Sequence, residues 1–161
     1  MDVWEPKDGW NNWDITDDED FNEAIGWMEL VDWMHGAPPC ATFSAGRTPP
    51  LKVLRTEERP LGFGDQRAEE ANEIVKRFAA LVLVLHRAGG FWSIENPESS
   101  LLWLLKDFIR LAELPGAFVV TFDQCAYGAP SCKPTRILTN APWLRACAGK
   151  YEVAPPHVHW S

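Results

Sequence analysis

Apolar positions recur along the 161-residue chain in separate stretches, some with helical and some with strand spacing. Phe21, Ala24, Ile25 and Met28 are three and four residues apart and line one helical face. Asp17, Asp18, Glu19 and Asp20 stand just ahead of them, where a helix amino terminus favours negative charge. A short helix is predicted there. Residues 30–34 read as a short strand, ended by Gly36-Ala37-Pro38-Pro39 because proline has no N–H to give to a ladder. A loop then runs through Thr48-Pro49-Pro50 to Gly62-Phe63-Gly64. Between Arg67 and Arg87 the set Ala71, Ile74, Val75, Phe78, Leu81, Val82 and Leu85 keeps helical period up to the Gly89-Gly90 stop, which predicts the longest helix.

Residues 91–94 form a brief apolar run that predicts a buried strand ending at Glu95-Asn96-Pro97. Asn96 then reads as a helix cap and Pro97 as the first helical residue. The helix they introduce carries Leu101, Leu102, Leu104, Leu105, Phe108, Ile109 and Leu111 and closes at Pro115-Gly116. Residues 117–122 and 135–139 read as the third and fourth strands, separated by the turn-rich Tyr127-Gly128-Ala129-Pro130. Strands alternating with long helices predict an α/β fold with a mostly parallel sheet flanked by helices. The expected organisation is one domain over 1–161, with an acidic segment at 1–20 and an irregular tail at 141–161. There is no internal repeat.

Composition narrows the class. With 46% hydrophobic and 24% charged residues the chain suits one compact domain. Its longest apolar run, 78–85, has eight residues, against roughly 18 needed to cross a bilayer, so no membrane partner is expected. The opening Met1-Asp2-Val3-Trp4-Glu5 lacks the basic and apolar stretches of a secretory signal, and an intracellular protein, nuclear or cytoplasmic, is expected. Cys40, Cys125, Cys132 and Cys147 are then thiols or ligands and not a disulfide frame. The net charge of -8 argues against a general nucleic-acid coat. Its distribution changes that reading: residues 1–35 hold eleven carboxylates and one lysine, whereas the rest holds fourteen basic and twelve acidic residues. Most of the nine tryptophans are expected in core or contact surfaces.

In parallel sheets ligands bind beyond the carboxyl ends of the strands, and Cys40 and Glu95 both fall there. Two prolines hold Cys40 on a stiff backbone, with few conformations to lose on meeting an electrophile. A thiolate is the nucleophile, and Arg47 and Arg136 are the candidate cations to favour it. Alone, a cysteine of this kind reads as a small buried hydrophobe and Glu95 as a helix-start carboxylate. Neither residue decides by itself.

Their combination resembles the cytosine-5 DNA methyltransferases. Gly36-Ala37-Pro38-Pro39-Cys40-Ala41-Thr42-Phe43-Ser44 is similar to that family's catalytic loop, a Pro-Cys pair after a strand followed by Phe-Ser. Asp65-Gln66-Arg67 resembles its Asp-x-Arg segment, and Ile94-Glu95-Asn96-Pro97 its Glu-Asn-Val motif. Tyr127-Gly128-Ala129-Pro130, followed by Lys133 and Thr135-Arg136-Ile137, looks like the segment that leads basic residues into the next strand. The four segments keep family order across residues 30–140.

The resemblance implies a truncated, Rossmann-like methyltransferase domain acting on DNA. Cys40 would add to C6 of a flipped-out cytosine, Glu95 would contact N3 and Arg136 the base near O2. Pro38, Pro39, Ser44, Asn96 and Lys133 would line the substrate. The methyl donor would be S-adenosylmethionine, with Asp14 and Ile15 resembling the Asp-Ile that meets its adenine. The family's glycine-rich cofactor loop has no counterpart ahead of the catalytic loop, nor is there a target-recognition region after it. The expectation is therefore an impaired isolated chain, complemented by a polypeptide that supplies the cofactor loop. The alternative is a catalytically inactive module of a larger polyprotein or mobile element that contacts nucleic acid or protein. Cys147, His157 and His159, completed by Cys125 or Cys132, make a secondary zinc reading.

Overall fold

Asp17 starts the first helix by accepting the backbone N–H groups of Glu19 and Asp20 at 2.9 and 3.1 Å. The helix is α1 (Asp18–Met28), in a computed structural model that describes residues 14–44, 53–130 and 133–148. Strand β1 (Trp33–Gly36) follows. It begins later than the 30–34 run because Leu30 and Val31 close the end of α1, both N–H groups bonding to the Trp27 carbonyl. Asp65 caps α2 (Gln66–Arg87), whose apolar stripe matches the predicted period. Arg77 of α2 binds α1: it pairs with Asp18 at 2.6 Å, donates to the Asp17 carbonyl and lies over the Phe21 ring.

The strand after α2 differs from its expected end. β2 (Phe91–Pro97) keeps its ladder through Asn96 and Pro97, so Asn96 is a buried strand residue and caps no helix. Ser100 does the capping, on a 3-10 helix at Leu101–Leu104. Leu105 then breaks the expected single helix, with extended backbone, before α3 (Lys106–Ala112). β3 (Phe118–Asp123) and β4 (Pro134–Thr139) are joined through a 3-10 turn at Gln124–Tyr127. Of the tail expected to be irregular, Pro142–Cys147 forms a 3-10 helix, and 149–161 lie outside the described residues.

The sheet order is β1-β2-β4-β3. β1 pairs parallel with β2, while β4 pairs antiparallel with both β2 and β3. The fold is α/β, a four-stranded mixed sheet flanked by helices, and the expectation of a mostly parallel sheet is corrected. Residues 124–133 are too few to carry the chain back for a parallel return, which takes a dozen or more, so β4 reverses beside β3.

Alternation sends Trp92, Ile94 and Leu138 to one face, into a core shared with Val75, Val82 and Leu85 of α2 and Phe108 and Leu111 of α3. Each such side chain contributes about 1.5–3 kcal/mol when fully buried. On the opposite face Phe91 and Trp33 meet Trp143, the Phe91 and Trp143 ring centroids 4.7 Å apart. Among the described residues no helix is long and apolar enough to cross a membrane.

At Gly36 the last residue of β1 lies so close to Phe78 of α2 that a Cβ would overlap the ring. The Gly36→Ala variant is expected to lose about 1–3 kcal/mol of stability, as overpacked sites do. Denaturant unfolding checks this, and an unchanged midpoint would show that β1 and α2 are not in such close contact.

Candidate functional site

Where β1 ends beside β2, Gly36 is paired with Ile94, so the next residues of each strand emerge at the same rim. Glu95 and Asn96 follow on β2, and the 37–44 loop follows on β1. Asn96 joins them: its side-chain amide donates to the Pro38 carbonyl at 2.9 Å, with both residues buried. Pro39 and Cys40 are exposed. The thiol is free and stands at the head of a turn closed by the Phe43 N–H on the Cys40 carbonyl at 3.0 Å. Phe43 is fully buried in the core, and its carbonyl accepts the Leu101 N–H at 2.9 Å. Ser44 then bridges Ser100 in antiparallel fashion. The cysteine loop is thus laced to the loop after β2 along its length.

β4 runs antiparallel, so its amino end meets this rim. Arg136 is the register partner of Asn96 and shares its face, with its guanidinium carbon 5.3 Å from the centroid of Trp103. Trp103 is held in turn by its indole N–H on the Pro97 carbonyl. Glu95, half-buried and paired with Ile137, projects to the opposite face at the same strand end. Two buried polar atoms at the rim, Asn96 Oδ1 and Arg136 Nε, have no hydrogen-bond partner among the described residues. Such atoms are costly to leave unmet. Beside them Lys133, Pro134, Pro97, Glu98 and Ser99 line an open groove of about 410 Å³.

The rim therefore collects the loop residues Pro38, Pro39, Cys40 and Ser44 and the strand-end residues Asn96, Lys133 and Arg136, with Glu95 at the same strand end on the opposite face. It leaves out Asp14 and Ile15. The Asp14 carboxylate accepts both the Thr16 hydroxyl at 2.6 Å and the Thr16 N–H at 2.9 Å, at the entry to α1. Those two bonds hold its pKa below the ordinary carboxylate value. Ile15 packs against the core. Asp65 and Arg67 sit at the start of α2, where Asp65 accepts the Arg67 backbone N–H. Arg47, Cys132, His157 and His159 lie outside the described residues. Cys125 is buried and Cys147 half-buried, and among the described residues no group of three metal-ligating side chains could hold an ion.

Sequence reasoning missed Arg55. It is buried beneath the cysteine loop and donates to both the carbonyl and the hydroxyl of Thr42. Its other partners include backbone carbonyls of Pro60 and Ala68, which any residue would offer, so no motif signals it.

Removing the Asn96 amide in Asn96→Ala leaves the Pro38 carbonyl unmet, a loss of about 1–3 kcal/mol. It should also speed amide exchange at Phe43, the closing bond of the turn; unchanged stability and exchange would show that the loop does not depend on Asn96. For Asp14, Thr16→Val should raise the carboxyl pKa toward its ordinary value, read by NMR titration. A depressed carboxylate stabilises the fold above its unfolded pKa and loses that contribution as pH falls through the folded value, so this acid-side contribution should shrink in Thr16→Val. A titration that did not move would mean that the Thr16 hydroxyl does not hold Asp14.

No family model, curated protein or solved structure matches the chain.

Proposed function

We propose that this chain is a cytosine-5 DNA methyltransferase-like domain, in which Cys40 adds to C6 of a cytosine swung out of its stack. One arrangement supports the reading above the others. An exposed thiol stands on a turn whose Pro38 is hydrogen-bonded to Asn96, the residue directly after Glu95. Nucleophile and carboxyl would then stand at one rim and receive a base that has left the duplex. Extrusion is required because the ring is out of reach inside the stack, and it costs a few kcal/mol.

In this reading Cys40 Sγ bonds to C6, and the C5–C6 electron pair moves toward C5. Glu95 holds N3; Arg136, which the resemblance sets near O2, projects to the other face at the same strand end and makes no base contact in this reading. C5 becomes the electron-rich atom. Lys133 and the adjoining groove would receive the phosphate chain of DNA. A nuclear or cytoplasmic setting goes with that substrate.

When bound, S-adenosylmethionine would supply the methyl group. Asp14 and Ile15, the pair that the resemblance would set against its adenine, do not fit a seat for it. One Asp14 oxygen is taken by Thr16, and Ile15 packs against the core. The reading therefore gives this chain the addition to C6 and assigns the donor's seat to a complementing polypeptide or to residues outside those described. The same observation favours a second reading, a catalytically inactive module of a larger polyprotein or mobile element that binds nucleic acid without reacting.

Addition to C6 can be tested without any donor. In D2O, C5 of the adduct takes up a deuteron, loses its original proton, and the thiolate leaves, so cytosine is regenerated with deuterium at C5. An oligonucleotide with an unpaired cytosine should exchange its C5 hydrogen in the presence of the chain. Cys40→Ser should abolish the exchange, and Glu95→Gln should slow it by about 10²-fold or more. Binding with no exchange would establish the second reading, and exchange that survives Cys40→Ser would remove Cys40 from the chemistry.

A further inference from the structure

Arg55 is 3% exposed and lies where three pieces of chain meet. Its Nε donates to the Thr42 carbonyl at 3.1 Å. Nη2 donates to the Thr42 hydroxyl at 3.2 Å and the Ala68 carbonyl at 2.9 Å. Nη1 donates to the Pro60 carbonyl at 2.8 Å and Asn72 Oδ1 at 2.6 Å. A guanidinium has five N–H groups, and these bonds use them all. The group also lies over the Phe43 ring, 3.8 Å from its centroid.

All these acceptors are neutral. Taking a cation out of water costs several kcal/mol, and burial pushes this guanidinium's pKa down, with the Glu69 charge acting in the other direction. An apolar side chain could fill the space without that cost. What the guanidinium adds is a rigid fork that takes two acceptors from a single residue, Thr42, two positions past Cys40. The turn then has an anchor on each side of the thiol: Asn96 holds Pro38 before it, and Arg55 holds Thr42 after it.

We infer that Arg55 is a positioning residue, acting through Thr42 and the 40–43 turn to hold the Cys40 thiol in one place for attack. The inference rests on the nucleophile reading of Cys40 given above. A displacement of the reacting atom by about 1 Å can cost on the order of 10²-fold in rate. Two variants disturb the anchor differently. Thr42→Val deletes the hydroxyl acceptor and keeps the buried cation; Arg55→Lys keeps a cation and loses the fork. Each should lower the maximal rate of C5 exchange by about 10- to 100-fold while half-saturation by the oligonucleotide stays unchanged, the signature of an effect on the step and not on binding. Should Arg55→Lys fail to fold, Thr42→Val decides alone.

A second readout does not depend on the reaction. A nitroxide placed on Cys40, in the full chain with Cys132 and Cys147 replaced by serine, should give a motionally restricted spectrum. Folded Thr42→Val and Arg55→Lys should each add a mobile component. Identical spectra in parent and folded variants, or a rate loss that appears only as weaker oligonucleotide binding, would overturn the inference. A parent chain without exchange but with a label that loosens in the variants would reject the C6-addition reading while supporting the anchor.

Discussion

The amide of Asn96 on the Pro38 carbonyl is the interaction through which the two halves of the candidate site become one. It spans 58 residues of sequence and joins the loop after β1 to the strand that carries Glu95. Without it, a Pro-Pro-Cys loop is a stiff piece of chain pointing nowhere in particular. With it, the thiol two residues on is tied to the carboxyl end of β2. The parallel pairing of β1 with β2 is the precondition, because it brings both strand ends to the same rim. The reversal of β4 completes the arrangement by bringing Arg136 opposite Asn96.

The remaining contacts of the loop serve stiffness. Phe43 is sunk in the core, Ser44 bridges Ser100, and Arg55 collects Thr42, Pro60, Ala68 and Asn72 around one cation. Each anchor removes conformations that the thiol would otherwise have to give up on meeting an electrophile. The Cys40 side chain is exposed, while Pro38 before it and Phe43 after it are buried and bonded. This division, a free tip on a fixed base, is what separates Cys40 from Cys125, which is packed away.

How far this was legible in the sequence depended on whether the signal was local. α2 was readable because seven apolar residues repeat at helical spacing and Asp65 precedes them. The position of Cys40 was readable because prolines end strands. Asn96 misled, since asparagine before proline carries the local preferences of a helix start, and a carbonyl far away in sequence outweighed them. The break at Leu105 was hidden inside an apolar run whose spacing alone cannot show a change from 3-10 to α-helix. The direction of β4 was hidden only by not weighing the ten-residue link from β3. Asp14 and Ile15 resemble a cofactor-binding pair as letters, yet one oxygen of the first is occupied by Thr16 and the second faces the core. Arg55 lay beyond sequence reading because most of its partners are main-chain carbonyls.

For Cys40 and Glu95 to act on one base, the thiol and the carboxyl must stand at one rim within the width of that base. The direct measurement is cross-linking in a Glu95→Cys variant with a short bifunctional thiol reagent, mapped by mass spectrometry of the monomer. An intramolecular 40–95 link is expected as the main product. Both thiols reacting with a monofunctional reagent while no 40–95 link forms would contradict it.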